Sequence, residues 1–377
     1  MFSISACLTP KDQLRFERTS ETLNGTAPAF IPPFPGSVAK YLKPDSPFQR
    51  VHGTIFPFLA ERDGRVVGRI AAIVNRSHNA RYGDTVGFFG FFECENNPET
   101  ARALVEKAAA VLREKGFTAM RGPYNPSIND ECGLLIDSFE KPPCIGFTWN
   151  PPHYEALLLA AGFTGVRDLV GMHLPMAGVP TPDRLERLAN RVAARSKMTL
   201  RPISIKNLEE ELKIVHEVYN DTLERNWGFV PIDMEDLLGA ADDMRAFADP
   251  NIILIAEKDG EPAGVALTLP DFNQILAGLQ RVPHWLRLPV ILWRMKTHKI
   301  TECRQTVYGI LPRFRDRGLH AWLLREQFAR ARARYPSAEL GWMEENNIEI
   351  IANGTMLGGY VNRRFRIYEQ PLAPAGA

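Results

Sequence analysis

The chain has 377 residues, 45% hydrophobic and 24% charged, with 45 Lys and Arg against 44 Asp and Glu and a formal net charge of +1. These are the proportions of an ordinary soluble globular protein, long enough at roughly 150 residues per domain for two or three self-sufficient cores. They exclude disorder, collagen, small stapled scaffolds and a protein built chiefly to coat nucleic acid, which needs clustered excess Lys and Arg.

The opening stretch, MFSISACLTPKDQLRFERT, lacks the basic start and continuous apolar run of an export signal. No apolar window reaches the roughly 18 to 20 residues needed to span a bilayer. Cys7, Cys94, Cys132, Cys144 and Cys303 stand singly, without a CxxC pair or Cys/His spacing for a metal. A reducing, cytoplasmic location and no bound metal are the expectation.

Residues 56–74, FPFLAERDGRVVGRIAAIV, read as an apolar strand, an Asp-Gly turn and a second apolar strand. The strand TVGFFGFFEC follows, then a helix from about Pro98 to Lys115 with Asn97 as N-cap, Gly116 as terminator and Ala101, Leu104, Val105, Ala108 and Leu112 as its apolar face. At this helix start Glu93 and Glu95 would repel a phosphate. The segment 122–133, GPYNPSINDECG, forms either a rigid loop or a polar pocket lined by Asn125, Ser127, Asn129 and Glu131. A short helix with the stripe Tyr154, Leu157, Leu158 and Ala161 stops at Gly162-Phe163, and a polar, Pro-containing linker spans 179–197.

Residues 252–270, IILIAEKDGEPAGVALTLP, then repeat the first hairpin at an offset of 196: Ala60/Ala256, Glu61/Glu257, Asp63/Asp259, Gly64/Gly260 and Gly68/Gly264 coincide. The later stripe Ile348, Ile351, Ala352 and Thr355, ending at Gly359-Tyr360, repeats the short helix at an offset of 197. Two features keeping nearly one offset indicate two copies of a mixed α/β domain, 1–178 and 198–377, each in the order β-β-β-α-β-α-β.

The second copy carries an insertion at 272–301 without an acidic residue. It sets Arg281, Arg287, Arg294, Lys296 and Lys299 among Trp285, Leu286, Leu288, Ile291, Leu292 and Trp293. It reads either as an interfacial segment for an anionic leaflet, and the entrance for an acyl chain, or as a buried insertion whose arginines stay in water. Pro283 and Pro289 divide it into short helices. Beyond it come the strand CRQTVYGIL, the loop Gly309–His320, a helix from about Gly318 to Arg334 and the strand AELGWME. A glycine at a helix start beside Arg313, Arg315 and Arg317 is either a basic loop or a site for pyrophosphate.

Arg315, Gly318 and His320 resemble the acyl-CoA pyrophosphate loop of the GCN5-related N-acetyltransferase (GNAT) superfamily, with His320 where that family has a small residue. Glu344-Glu345-Asn346 and the Gly-Gly-Tyr ending of the next helix resemble it too. The likeness implies two tandem GNAT-like mixed-sheet domains forming a pseudo-dimer, with acyl-CoA held in the second by Ile310, Leu311, Arg313, Arg315, Arg317, Gly318, Leu319, His320 and Asn346. The first copy lacks the loop. For catalysis, Glu344 or Glu345 is the candidate base, since alternation points one of them inward. His320 either contacts phosphate or acts as base. The superfamily's leaving-group tyrosine is missing from 346–358, which leaves Tyr308 and Tyr360 as substitutes, and a main-chain N–H near the end of 304–311 as holder of the thioester oxygen.

More narrowly, 122–133, Asn-Pro-Pro-His-Tyr at 150–154, Tyr-Asn at 219–220 and Asn-Trp-Gly-Phe-Val-Pro at 226–231 resemble the bacterial ceramide synthases. That resemblance implies N-acyl transfer from a long-chain thioester, of CoA or acyl carrier protein, to a primary amine such as a sphingoid base. Together with the polar segment 122–133 and the basic, Trp-rich insertion, it brings Asn125, Ser127, Asn129, Glu131, Trp227, Trp285 and Trp293 forward as substrate contacts, and the insertion by itself points to peripheral binding at the inner leaflet of the cytoplasmic membrane. Two other readings stay open: a non-catalytic, regulatory tandem GNAT, and an N-acyltransferase of small or aminoacyl substrates.

Overall fold

The computed structural model describes residues 1–315 and 318–373, with the backbone alone at 240 and 242–244. In chain order the strands are β1 (Phe2–Ala6), β2 (Gly53–Arg62), β3 (Arg65–Asn75), β4 (Val86–Cys94), β5 (Ala119–Gly122), β6 (Tyr124–Asn125), β7 (Glu131–Cys132), β8 (Leu134–Leu135) and β9 (Thr164–Pro175). They continue with β10 (Met198–Pro202), β11 (Ile253–Lys258), β12 (Glu261–Pro270), β13 (Glu302–Ile310), β14 (Ser337–Glu344) and β15 (Tyr360–Pro371). The helices are α1 (Pro10–Asn24), α2 (Ser37–Leu42), α3 (Arg76–Tyr82), α4 (Pro98–Glu114), α5 (His153–Ala160) and α6 (Asp183–Arg195). After these come α7 (Leu208–Leu223), α8 (Met234–Phe247), α9 (Asn273–Leu276), α10 (His284–Thr297), α11 (Leu319–Arg332) and α12 (Ile348–Met356).

The packing divides the chain into two units that are not contiguous halves. The first comprises Met1–Leu169, Asn273–His298 and the residues from Arg363 onward; the second comprises Val170–Phe272 and Lys299–Asn362. The insertion and most of the last strand, which follow the second hairpin in sequence, therefore pack with the first unit. Residues expected as a plain linker include α6, whose Leu185 and Ala189 are buried.

In the first unit β1 to β4 form an antiparallel run, β5 joins β4 in parallel, and residues 368–371 of β15 pair antiparallel with β5. Helix α4 covers this sheet with the predicted face: Ala101, Leu104, Val105, Ala108 and Leu112 are all buried, and Asn97 caps it by accepting from the N–H groups of Glu99 and Thr100. The second unit repeats the plan, with β10 to β13 antiparallel and β14 parallel to β13.

The repeat is visible in backbone geometry. Asp63 and Gly64 have φ of 50° and 76°, Asp259 and Gly260 have 52° and 84°, and the register slips after Ala60 in one hairpin and after Ala256 in the other. Positive φ at both central positions is what a tight hairpin turn requires. At the helix ends, the left-handed glycines are Gly162 (φ 95°) and Gly358 (φ 94°). The second cap is thus one residue earlier than the expected Gly359, which restores the offset of the hairpins. Phe163 tucks under its helix at 2% exposure, whereas Tyr360 is 54% exposed.

Helix α10 has two unlike faces. Arg287 and Ile291 are buried, and the Arg287 guanidinium forms a forked ion pair with Glu21 of α1 at 2.7 and 2.5 Å. Arg294 donates to the carbonyls of Ile275 and Ala277 at 2.8 and 2.7 Å. These two arginines fasten the helix to its own unit; Arg287 is buried, not solvated as the sequence led one to expect, while Arg294 stays half-buried. The other face carries Trp285 (78% exposed), Leu288, Leu292 and Trp293 (63%). Among the described residues, no helix is long and apolar enough to cross a membrane.

Candidate functional site

The site of the second unit arises where two strands part. β13 and β14 run in parallel register from Glu302 and Ser337 to Gln305 and Leu340. Past that pair they diverge, because Thr306 is an extra residue: Leu267 of β12 faces Val307 and Thr268 faces Gln305, and the Thr306 hydroxyl donates back to the Leu267 carbonyl at 3.2 Å. A bulge of this kind bends the strand and frees main-chain groups on its far edge. Leu311 is already spoken for, since its N–H donates to the Ala263 carbonyl at 3.0 Å.

A slot opens at this parting, with an empty volume of about 1130 Å³ counting the solvent at its mouth. All its lining residues belong to the second unit. Its mouth is polar, with Asn226, Tyr308, His320, Glu344, Asn347 and Asn353; its depth is apolar, bounded by Leu324, Phe328, Ala331, Ala338, Leu340 and Leu357. Midway, Gln327 donates to the Thr268 hydroxyl and accepts from Gln305 Nε2 at 3.1 Å, so the polar groups of the wall largely satisfy one another. Cys303 lies at the deep end, fully buried, and burial pushes its thiol pKa far above the ordinary range, which makes it a small apolar filler.

Glu344, His320 and Tyr308 are thus brought to one mouth. Glu344 Oε1 accepts from the Trp227 N–H at 3.0 Å, which uses the main chain of Trp227 to orient the carboxylate. His320 Nε2 lies 3.2 Å from Asn353 Nδ2, and its ring packs edge-on against Tyr308 with 5.0 Å between centroids. Loss of water around the ring lowers the His320 pKa, against an opposing pull from Glu349, so the imidazole is largely neutral at pH 7. The Tyr308 hydroxyl donates to the His320 carbonyl at 2.6 Å, and burial raises its pKa well above the ordinary value. That hydroxyl is a brace for the start of α11.

Other expected residues fall elsewhere. Glu345 and Asn346 are exposed and do not line the slot, and the Tyr360 ring lies tilted against His173 with 5.6 Å between centroids. Arg317 lies outside the described residues. At the helix start Gly318 (φ 73°) caps α11, Leu319 is buried, and Val192 of α6 sits 2.5 Å from where a β-carbon on Gly318 would be. A bulky residue there would push α6 aside as well as fill the loop. Arg313 pairs with Glu217 at 3.2 Å while half exposed, and Arg315 Nε donates to the Ile310 carbonyl at 3.1 Å.

The first unit shows what the segment 122–133 does in its own frame. β4 and β5 also part, after Phe88 and Arg121, but here β6 moves against the gap. Asn125 Oδ1 accepts from the Phe91 N–H at 2.6 Å, and a β-carbon on Gly90 would fall 1.5 Å from the Tyr124 carbonyl oxygen, so only glycine fits. Ser127 donates to Asp130 at 2.6 Å and Asn129 N–H donates to Ser127 at 3.2 Å; Glu131 lies on the exposed edge of the β6–β7 hairpin. Glu93 and Glu95 do not meet solvent phosphate: Glu93 turns inward to Arg69, and Glu95 pairs with Arg62 at 3.2 Å. Sequence reasoning missed the slot's depth, because Ala331 and Ala338 carry no signal until helix and strand are packed together.

No protein-family profile matches the chain. It is 29% identical over 379 residues to the bacterial ceramide synthase of Caulobacter vibrioides, covering 98% of this chain and 97% of that one. It is 28% identical over 322 residues to Protein YghO of Escherichia coli, covering 84% and 82%. Among solved structures, a tandem GNAT protein from the clavulanic acid biosynthesis pathway matches with a TM-score of 0.59 at 13% identity over the full length of both chains. The fold is a tandem GNAT fold.

Proposed function

We propose that the chain is an N-acyltransferase that moves a long-chain acyl group from an acyl-CoA to a primary amine of the sphingoid-base class. The single observation that carries this is the slot in the second unit, polar at the parting of β13 and β14, crossed midway by the self-satisfied Gln305, Gln327 and Thr268, and apolar at its deep end. An acetyl group needs no such depth. Similarity to a ceramide synthase over nearly the whole chain supports the lipid amine. In this reading the carrier's phosphates meet Arg313, Arg315 and the N-terminal turn of α11, where helix N–H groups and guanidinium charge act together.

The reaction forms one amide C–N bond and breaks one thioester C–S bond. The amine arrives protonated near neutral pH, with a pKa of about 10 for an alkyl ammonium, so a base must take a proton before attack. Glu344 has that role, oriented by the Trp227 N–H. Main-chain N–H groups of 306–310 on the edge turned toward β14 stabilise the oxyanion; as that intermediate collapses, the second proton of the attacking nitrogen goes to the departing thiolate, giving free thiol and amide, and Glu344 returns the first proton to solvent. Neutral His320 keeps the mouth passable to an ammonium. The test is direct: incubation with acyl-CoAs of graded length and an amine panel, following thiol release and product mass. Thiol release with long-chain donors and a long-chain amino alcohol is expected. No turnover with any donor would leave a non-catalytic ligand-binding protein.

The exposed face of α10 suits a membrane-borne amine. Trp285, Leu288, Leu292 and Trp293 form one ridge with Lys296 beside it, and the buried ion pair of Arg287 with Glu21 shows that the fold is secured from the opposite face. Indole rings with nearby cations favour an anionic interface, at about 1 kcal/mol per basic residue near the surface. Replacing Trp285, Trp293 and Lys296 by Ser is expected to lower co-sedimentation with phosphatidylglycerol-containing vesicles at least tenfold while leaving the melting temperature in place. Equal partition of wild type and variant would reject the membrane contact.

A further inference from the structure

We infer that the closed end of the slot is a ruler for acyl-chain length, read by Phe328, Ala331 and Ala338. The inference rests on the acyl-transfer reading above and adds which residues select the chain. At the deep end Phe328, Ala331, Ala338, Cys303, Leu357 and Met176 are each at least nine-tenths buried, so the slot stops there inside one apolar cluster of the second unit. Among the described residues, those lining that end carry no charge.

The length follows from the two elements that wall it. β14 lines the slot from Ala338 to Glu344, and at a rise of about 3.3 Å per residue this is roughly 20 Å. Helix α11 lines it from His320 to Ala331, which at 1.5 Å per residue is roughly 16 Å. With carbon–carbon bonds of about 1.5 Å in a zigzag, such a slot holds a chain of roughly 12 to 16 carbons. Two alanines stand among leucine, methionine and phenylalanine at the end of that path, and both line the slot, so a larger side chain at either takes up part of its volume. Overpacking elsewhere in a core displaces its surroundings; here it shortens the slot.

The experiment uses the full-length protein and saturated fatty acids and acyl-CoAs of 8 to 18 carbons, with binding read by thermal shift and turnover by thiol release. Ala331→Phe and Ala338→Phe are expected to move the optimum shorter by about four carbons, the reach of a phenyl group, with at least a tenfold loss on the longest chains and little change on the shortest. Ala338→Val, a smaller step, covers the case in which a Phe variant does not fold, and Phe328→Leu is expected to move the optimum longer. Chain-length profiles unchanged in Ala338→Val and Phe328→Leu overturn the ruler. Binding of graded fatty acids without any turnover would count against the transferase reading while the ruler stood. Fatty acids that bind at no length, with long-chain amines binding instead, would give the slot to the amine's tail and overturn the ruler.

Discussion

Glu344→Gln is expected to lower turnover by about 10²–10³, the usual worth of a positioned general base, with little change in the KM for acyl-CoA. The amide is nearly isosteric, and its oxygen can still accept the Trp227 N–H that holds the carboxylate at 3.0 Å. What it cannot do is take a proton from the incoming ammonium. Raising the pH should therefore rescue the variant, because the amine then deprotonates in solution as its pKa of about 10 is approached. Wild type and variant should converge toward pH 9 to 10, a signature that a merely structural carboxylate would not give. Glu345→Gln is the matched control, since that side chain is exposed and off the slot, and it should keep full activity. If Glu344→Gln kept wild-type kcat at pH 7 and His320→Gln lost it, the base would be the imidazole, already neutral there because its pKa is lowered by lost hydration.

Much of the architecture was legible because it is local. Asp-Gly turns demand a positive φ wherever they occur, so Asp63-Gly64 and Asp259-Gly260 announced their hairpins, and Asn97 with the spacing of Ala101, Leu104, Ala108 and Leu112 announced α4. The cap at Gly358 was misjudged by one residue because two adjacent glycines, Gly358 and Gly359, both permit it, and packing chose the first. Non-local pairing was not legible. Nothing near Arg287 indicates that Glu21, hundreds of residues earlier, will bury it, and a charged residue is otherwise best assigned to water. Likewise Glu93 read as an exposed acid until the register of β3 with β4 set it directly opposite Arg69. At the candidate site the mouth residues His320 and Glu344 were named from motif, while the slot's depth depends on where β13 and β14 part, a property of the bulge at Thr306.

Arg69→Met is expected to destabilise the first unit by about 3–5 kcal/mol, the cost of leaving one member of a buried ion pair alone. Arg69 is 5% exposed; its guanidinium donates to Glu93 Oε1 at 3.3 Å and to the Phe16 carbonyl at 2.5 Å, and lies 4.9 Å from the Phe16 ring centre. The other Glu93 oxygen accepts from Tyr154 and from Asn24, each at 2.7 Å, and the Tyr154 hydroxyl accepts from the Cys94 N–H at 3.1 Å. Four elements, α1, β3, β4 and α5, are tied through this one carboxylate. Burial already holds the Glu93 carboxyl above its ordinary value, although Arg69, Tyr154 and Asn24 pull it down; without the guanidinium it rises further. In the variant the folded-state pKa then exceeds that of the unfolded chain, so stability is greatest below the unfolded value of about 4.3 and is lost as pH rises through the folded one. Urea midpoints at pH 5 and pH 8 check the sign: the variant should lose more at pH 8, and Arg69→Met with Glu93→Gln should recover most of the loss because no charge is left to bury. A loss under 1 kcal/mol at both pH values would mean that the network is incidental. The comparison bears on how the two units differ at this point: both copies part their parallel strands, and the first closes the parting with Asn125 and anchors the strand end with Glu93, where the second leaves a mouth lined by His320 and Glu344.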